Sequence, residues 1–188
     1  LTQYLKLSNL KQFIYVSSIS ACEQCDEVFI SEDNGYPISE YGFSKLRTED
    51  IIKEELKGHC PFTIFRPTAL FGESHLGSIF DLTNRINKGQ FVIFGNGNNF
   101  TNFYYIKEFI DLLLISIENK ATYDQTFIAS SKPLTLLELA LTIKENLGLK
   151  PRLFKVPLFV GKYIAHLFDL ISIFYRKDFP FSISFINV

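Results

Sequence analysis

Methionine and tryptophan are both absent from the 188 residues. A translated chain begins with Met, so the sequence is expected to be an excerpt or a processed product, with residues preceding Leu1. Cysteine occurs only three times. An odd, sparse set fits a reducing compartment better than a disulfide scaffold. Charge of one sign is missing as well: 19 basic residues face 20 acidic ones, for a formal net charge of -1. Such a balance gives no general pull towards nucleic acid or an anionic membrane. No basic-then-apolar leader opens the chain at Leu1, so no secretory signal is read and a cytoplasmic location is expected.

What is abundant is apolar and aromatic. Hydrophobic residues make up 47% of the chain, with 20 Phe and 9 Tyr, which excludes a disordered polymer. The length suits one substantial core with a small second lobe.

Apolar runs and helical patterns alternate. Lys11–Ser17 reads as a buried strand, and Glu23–Pro37 as an acidic loop. Ser39 caps a helix expected to run to about Leu56, with Gly58 just beyond it. A strand is expected over Pro61–Phe65, a loop over Arg66–Gly77 and a helix over Ser78–Lys88. Phe91–Phe94, Gly95-Asn96-Gly97 and Phe100–Ile106 read as strand, hairpin-like turn and strand. Lys107–Glu118 is helical, and Gln125–Ala129 is a strand. Thr135 and Glu138 form a capping box for a helix whose Leu136, Ala140, Ile143 and Leu147 share a face. Pro151–Val156 is extended. The alternation predicts an α/β fold: a mostly parallel sheet covered on both sides.

From Phe159 to Tyr175 two apolar rows run at helical spacing, broken only by Lys162, His166 and Asp169. The run falls short of the roughly 20 clean apolar residues of a membrane span. Burial in protein or against a second copy is expected there, with interfacial membrane contact as the alternative.

Tyr41 and Lys45 lie four apart, on one face of the expected helix. A phenol titrates near 10, so use as a base at neutral pH needs a shift of about three units, or roughly 4 kcal/mol. One ammonium about 4 Å away, at an effective dielectric near 20, supplies roughly that. The pair is therefore a candidate general acid/base for a hydroxyl or carbonyl. The strand before it ends in Ser17-Ser18. Ligands of doubly wound sheets sit beyond the carboxyl ends of the strands, where a serine hydroxyl can bind the same oxygen. Cys22 and Cys25 have redox or zinc spacing, but an acidic loop follows them and only His59 and Cys60 remain as further ligands, so no metal is expected. His75 reads as a solvated loop histidine.

The ordered series FIYVSS at 13–18, YGFSK at 41–45, FRPTALFG at 65–72, GNGNNFTNFYYIKEF at 95–109 and FIASSKPLTLLELA at 127–140 resembles the extended short-chain dehydrogenase/reductase superfamily. It is most similar to the NAD-dependent epimerase/dehydratase family. The resemblance implies a partial doubly wound, Rossmann-type sheet with a small C-terminal substrate lobe. Residues 1–66 would be the second half of the dinucleotide-binding domain. Residues 67–188 would mix substrate-lobe segments with the remaining sheet elements. It implies Tyr41 as catalytic acid/base, Lys45 as the residue that holds the nicotinamide ribose and tunes the phenol, and Ser18 as the hydroxyl on the reacting oxygen. Ser17, Pro67 and Thr68 would lie at the NAD or NADP cofactor, and Ala69, Leu70 and Phe71 on the sugar side. Many members carry Asn at the position of Ala69, Arg at that of Thr101 and an Asp pair at Lys107-Glu108. The substrate diphosphate would then turn to Arg85 or Lys88. The family's glycine-rich phosphate turn would precede Leu1.

The function this implies is nucleotide-sugar epimerisation or dehydration, with a homodimer expected for the complete protein. Two alternatives stand beside it. One is an NAD(P)H-dependent reductase or hydroxysteroid-type dehydrogenase acting on an apolar alcohol. The other is a truncated, non-catalytic interaction module.

Overall fold

The computed structural model describes residues 10–22, 37–73 and 77–161. The helix expected over Phe159–Tyr175 falls mostly outside them, as do His75 and Cys25. The described residues divide into two compact units. One lies within Leu1–His75 and Asn102–Pro133, the other within Leu76–Thr101 and Leu134–Val188.

The first unit is α/β. Its sheet has three parallel strands in the order β1 (Phe13–Val16), β2 (Phe62–Pro67), β7 (Gln125–Ala129). All six residues of β2 are buried, as a central strand covered on both faces requires. Successive side chains of β2 serve opposite faces. Phe62 and Ile64 join Ile52 and Leu56 of α1 (Glu40–Leu56) on one face, and Phe65 meets Phe109 of α3 (Ile106–Ser116) and Ala129 on the other. The Phe65 and Phe109 rings meet edge-on at 6.2 Å, and Phe65 stacks on Phe127 at 5.6 Å. The helix α1 begins where expected: the Ser39 hydroxyl accepts the amide of Gly42 at 3.0 Å.

Two expectations are corrected here. The chain after Pro67 is not all loop: Ala69–Phe71 forms β3, paired in parallel with β6 (Phe103–Tyr105). And Gly95-Asn96-Gly97 closes no hairpin. In the second unit β4 (Val92–Phe94) pairs in parallel with β9 (Phe154–Val156), and β5 (Phe100–Thr101) pairs antiparallel with β8 (Leu134–Thr135). The Gly97 carbonyl instead accepts the amide of Leu137 at 3.0 Å. Gly97 has φ 77°, and a Cβ there would press on Ile93 and Leu137, so the turn requires glycine. Leu137 opens α4 (Leu136–Asn146), which carries the capping box between Thr135 and Glu138 and packs on α2 (Ser78–Asn87). Its buried side centres on Leu139 and Ala140, while Leu147, at the C-cap, is exposed.

Candidate functional site

The predicted chemistry gathers at the carboxyl ends of β1 and β2. Past Val16 the chain turns through a short 3-10 helix, Ile19–Ala21. Ser18 is its N-cap: the hydroxyl accepts the amide of Ser20 and donates to the Ser20 hydroxyl, each at 3.2 Å. The first turn of α1 lies directly against this turn. A Cβ on Gly42 would fall 2.1 Å from the carbonyl oxygen of Ser20 and 2.8 Å from Pro37. Backbone therefore meets backbone beside Tyr41, because residue 42 has no side chain.

Tyr41 is 55% exposed. The Lys45 ammonium stands 5.7 Å from its ring centre and 5.3 Å from that of Tyr15, and donates to the carbonyl of Val16 at 3.4 Å. Spacing of four residues on α1 and the end of β1 thus bring one cation, one phenol and the approach to Ser18 to one corner. The role of Tyr15, whose ring supports the ammonium by a cation–π contact, was not read from the sequence.

Ser17 was expected at the cofactor. Its side chain is buried and its hydroxyl donates to Glu49 at 2.5 Å. Glu49 also accepts from Arg66, at 3.0 and 3.2 Å from Nε and 2.7 Å from Nη2. Both residues are buried, Glu49 at 0% and Arg66 at 1% exposure. Arg66 Nη1 reaches the sulfur of Cys22 at 3.0 Å. Burial works against the guanidinium charge, but the hydrogen bonds and charge of Glu49, with Cys22 adding to them, hold Arg66 above its ordinary range.

This network escaped the sequence reading, although each member stood in a recognisable row. Glu49 sits three residues before Ile52 on the buried stripe of α1, and Arg66 two after Ile64 on the α1-facing side of β2.

Pro67 ends β2, and the buried Thr68 donates its amide to Ala129 at 3.0 Å and its hydroxyl to Asn102 at 3.5 Å. Ala69 is exposed at the start of β3. Phe71 packs in an aromatic group with Phe103 at 6.5 Å and Tyr105 at 5.5 Å. Lys107, where many family members carry an acid, binds Glu73 at 2.9 Å, and that hydrogen bond, then Tyr105, holds its ammonium above the ordinary lysine value. Arg85 is exposed on the last turn of α2, in the second unit, which also holds Thr101. Among the described residues no group of three His, Cys, Asp or Glu is gathered as for a metal, and no helix is long and apolar enough to cross a membrane.

A model of the NAD dependent epimerase/dehydratase family matches residues 1–128. The chain belongs to that family. Among curated epimerases of the family's type, N-acetyl-alpha-D-glucosaminyl-diphospho-ditrans,octacis-undecaprenol 4-epimerase of Escherichia coli O157:H7 is 26% identical over 150 residues, which cover 78% of this chain and 45% of that protein. The 3beta-hydroxysteroid-dehydrogenase/decarboxylase isoform 2 of Arabidopsis thaliana is 26% identical over 178 residues, covering 86% of this chain and 31% of that one. Among solved structures, UDP-glucuronic acid 4-epimerase from Bacillus cereus in complex with NAD superposes with a TM-score of 0.72 at 21% identity, over 84% of this chain and 53% of that chain. The fold is thus that of Rossmann-type epimerases. The chain spans less than half the length of the curated relatives it matches.

The donor set of this epimerase/dehydratase-family chain fits the nicotinamide-ribose end of a dinucleotide. One cation, Lys45, and two neutral hydroxyls, those of Ser18 and Thr68, stand at the ends of adjacent parallel strands. Gly95-Asn96-Gly97 does not supply the pyrophosphate cradle, since it opens no strand-to-helix turn of the required kind.

Proposed function

We propose that the protein carrying this chain is an NAD(P)-dependent epimerase or dehydratase of a diphosphate-linked sugar, with Tyr41 as its acid/base. The observation that carries this reading is the place of the Lys45 ammonium, between the Tyr41 ring and the end of the strand that leads to Ser18. Lys45 and Thr68 would hold the nicotinamide ribose end, and NAD bound there would supply the acceptor and then the donor of a hydride. Tyr41 takes the proton of a sugar hydroxyl as its carbon is oxidised and returns it as the carbon is reduced. Ser18 donates to the sugar oxygen whose charge changes. The matched relatives named as 4-epimerases point to the C4 hydroxyl.

In the full protein, with UDP-glucose or UDP-N-acetylglucosamine as probe, Tyr41→Phe is expected to lower turnover by about 10² to 10⁴-fold. NADH affinity, read from nicotinamide fluorescence, should stay within about twofold, because the phenol hydroxyl serves the proton and not the bulk of binding. Turnover near that of the parent would refute the assignment.

A second reading, net oxidation or reduction of an apolar alcohol or ketone, is favoured by the similarity to the hydroxysteroid dehydrogenase and by Ala69 at a position where many nucleotide-sugar members carry Asn. It predicts stoichiometric exchange with free NAD(P)H. Epimerisation predicts no net cofactor change.

A further inference from the structure

We infer that the buried Glu49–Arg66 pair, together with Ser17, is a clamp that positions Tyr41 and Lys45 over Ser18. The inference rests on reading those three as the reaction centre.

Three chain segments converge on one carboxylate. Glu49 comes from the middle of α1, Ser17 from the end of β1 and Arg66 from the end of β2. Tyr41, Lys45 and Glu49 follow one another at intervals of four on α1. Eight residues of helix rise about 12 Å and turn through about 80° beyond two full turns. The stripe therefore starts at an exposed phenol and ends rooted in the interior, and the exposures follow: 55% for Tyr41, 0% for Glu49. The same carboxylate that roots the helix holds Ser17, whose neighbour in sequence is Ser18. At the other end of the stripe Gly42 touches the Ser20 carbonyl. The helix is thus fixed to the serine-bearing turn at two points, with Lys45 between them.

A buried ion pair is a poor way to add stability, because apolar residues of similar size often do as well or better. What it adds is direction. Glu49 takes two parallel bonds from one planar guanidinium, and such a fork admits one orientation. Misplacement of catalytic groups by about 1 Å costs on the order of 10²-fold in rate, so a device that fixes α1 against β1 and β2 bears on turnover even though no atom of it touches substrate. Glu49, Arg66 and Ser17 are positioning residues in this account.

The test uses the full protein loaded with NAD, with UDP-glucose or UDP-N-acetylglucosamine as probe. Ser17→Ala removes the tie to β1 and leaves the ion pair whole, so the variant folds. Its kcat is expected to fall about tenfold or more, with KM and NAD affinity within about twofold. Amide exchange in the cofactor-free protein is expected to quicken at residues 40–45 and not at 62–67, as for a local opening. Ser17→Thr, which keeps the hydroxyl, should restore both. In the double variant Glu49→Leu/Arg66→Leu the two charges leave together. It should stay folded, yet show the same fast exchange and low kcat.

Parent-like kcat and exchange in Ser17→Ala, with Tyr41→Phe inactive, overturns the clamp and spares the reaction centre. Weak NAD binding by Ser17→Ala with unchanged exchange assigns Ser17 to the cofactor and also overturns the clamp. Turnover that survives in Tyr41→Phe overturns the reaction-centre reading itself.

Discussion

The three-stranded sheet carries a polar seam at each end, and the two seams differ in kind. At the amino end the Gln12 amide donates to Thr63 Oγ1 at 2.8 Å and to the carbonyl of Ser116 at 3.1 Å, and its oxygen accepts the amide of Glu118 at 2.7 Å. Thr63 donates in turn to the carbonyl of Thr122 at 2.8 Å. Every interior member is neutral. At the carboxyl end the seam is ionic, Ser17 with Glu49 and Arg66. Neither seam wastes a donor: among the described residues no buried side-chain nitrogen or oxygen lacks a partner. A neutral seam suffices to tie loops to strands. A buried ion pair must overcome a larger desolvation cost, and among the described residues the pair buried on both sides is Glu49–Arg66, rooted on the helix that carries Tyr41 and Lys45. The contrast separates polar groups that hold the fold from polar groups that aim it.

The contrast is broken most severely at the ionic end. Glu49→Ala takes the paired carboxylate from the buried Arg66, and Arg66→Ala takes the guanidinium from the buried Glu49, leaving the half-exposed Lys53 ammonium 4.0 Å from its carboxylate. Each is expected to cost about 3–5 kcal/mol in urea denaturation, enough to unfold a marginal domain. The apolar double replacement should recover most of that loss. If the single variants are as stable as the parent, the pair is not buried as described.

Gly42→Ala comes next. Its new methyl group would meet the Ser20 carbonyl at 2.1 Å and Pro37 at 2.8 Å, and the first obstacle is backbone, which cannot rotate away. An overpacking cost of about 1–3 kcal/mol is expected. Turnover should fall with it, since the displaced turn carries Tyr41. A variant with normal turnover would place the Tyr41–Ser18 spacing outside the control of this contact.

Thr63→Val probes the neutral seam. It strips one hydroxyl from between Gln12 and Thr122, at a cost of about 1–2 kcal/mol. Because that seam lies at the far end of the strands from Tyr41, turnover at a temperature where the protein is folded should be unchanged. A selective loss of kcat here would erase the distinction between the two ends.

The helix caps and the longer strands were the easier parts to read in advance. Ser39, the Thr135–Glu138 box and the apolar runs of β1, β2 and β7 are local signals, and each produced the element expected. The Tyr41–Lys45 spacing was legible for the same reason. The short strands were harder: β3 read as loop, β5 and β6 as one strand, and β4 as half of a hairpin, because two or three residues hold too little pattern to name a partner, whereas Ala69 meets Phe103 and Val92 meets Phe154. The clamp was hidden differently. Counting apolar positions along a helix passes over a glutamate in the row, and counting them along a strand passes over an arginine at its end. Two such charges, each on the face of its element that turns towards the other, are a signal in combination only.

The two ends also treat a cysteine differently, and this gives the smallest of the expected effects. Cys22 lies against the Arg66 guanidinium. Cys60, 3% exposed near the amino end, points its thiol at the carbonyls of Pro61 at 3.5 Å and Leu10 at 3.7 Å. Burial first, and then the charge of Asp124, push the Cys60 thiol above its ordinary value of 9.0. A group with a raised value in the folded state binds its proton more tightly there than in the unfolded chain. Its contribution to stability is therefore fully present below the unfolded value and lost as pH rises through the folded one. Unfolding free energy should fall slightly on the alkaline side, above about pH 9, and Cys60→Ala should flatten that slope. Alkylation with iodoacetamide at that pH, mapped by mass spectrometry, should label Cys60 far more slowly in the native protein than in urea, since only an exposed thiolate reacts. Equal rates in the two states would show that the amino end admits charge as readily as the carboxyl end does.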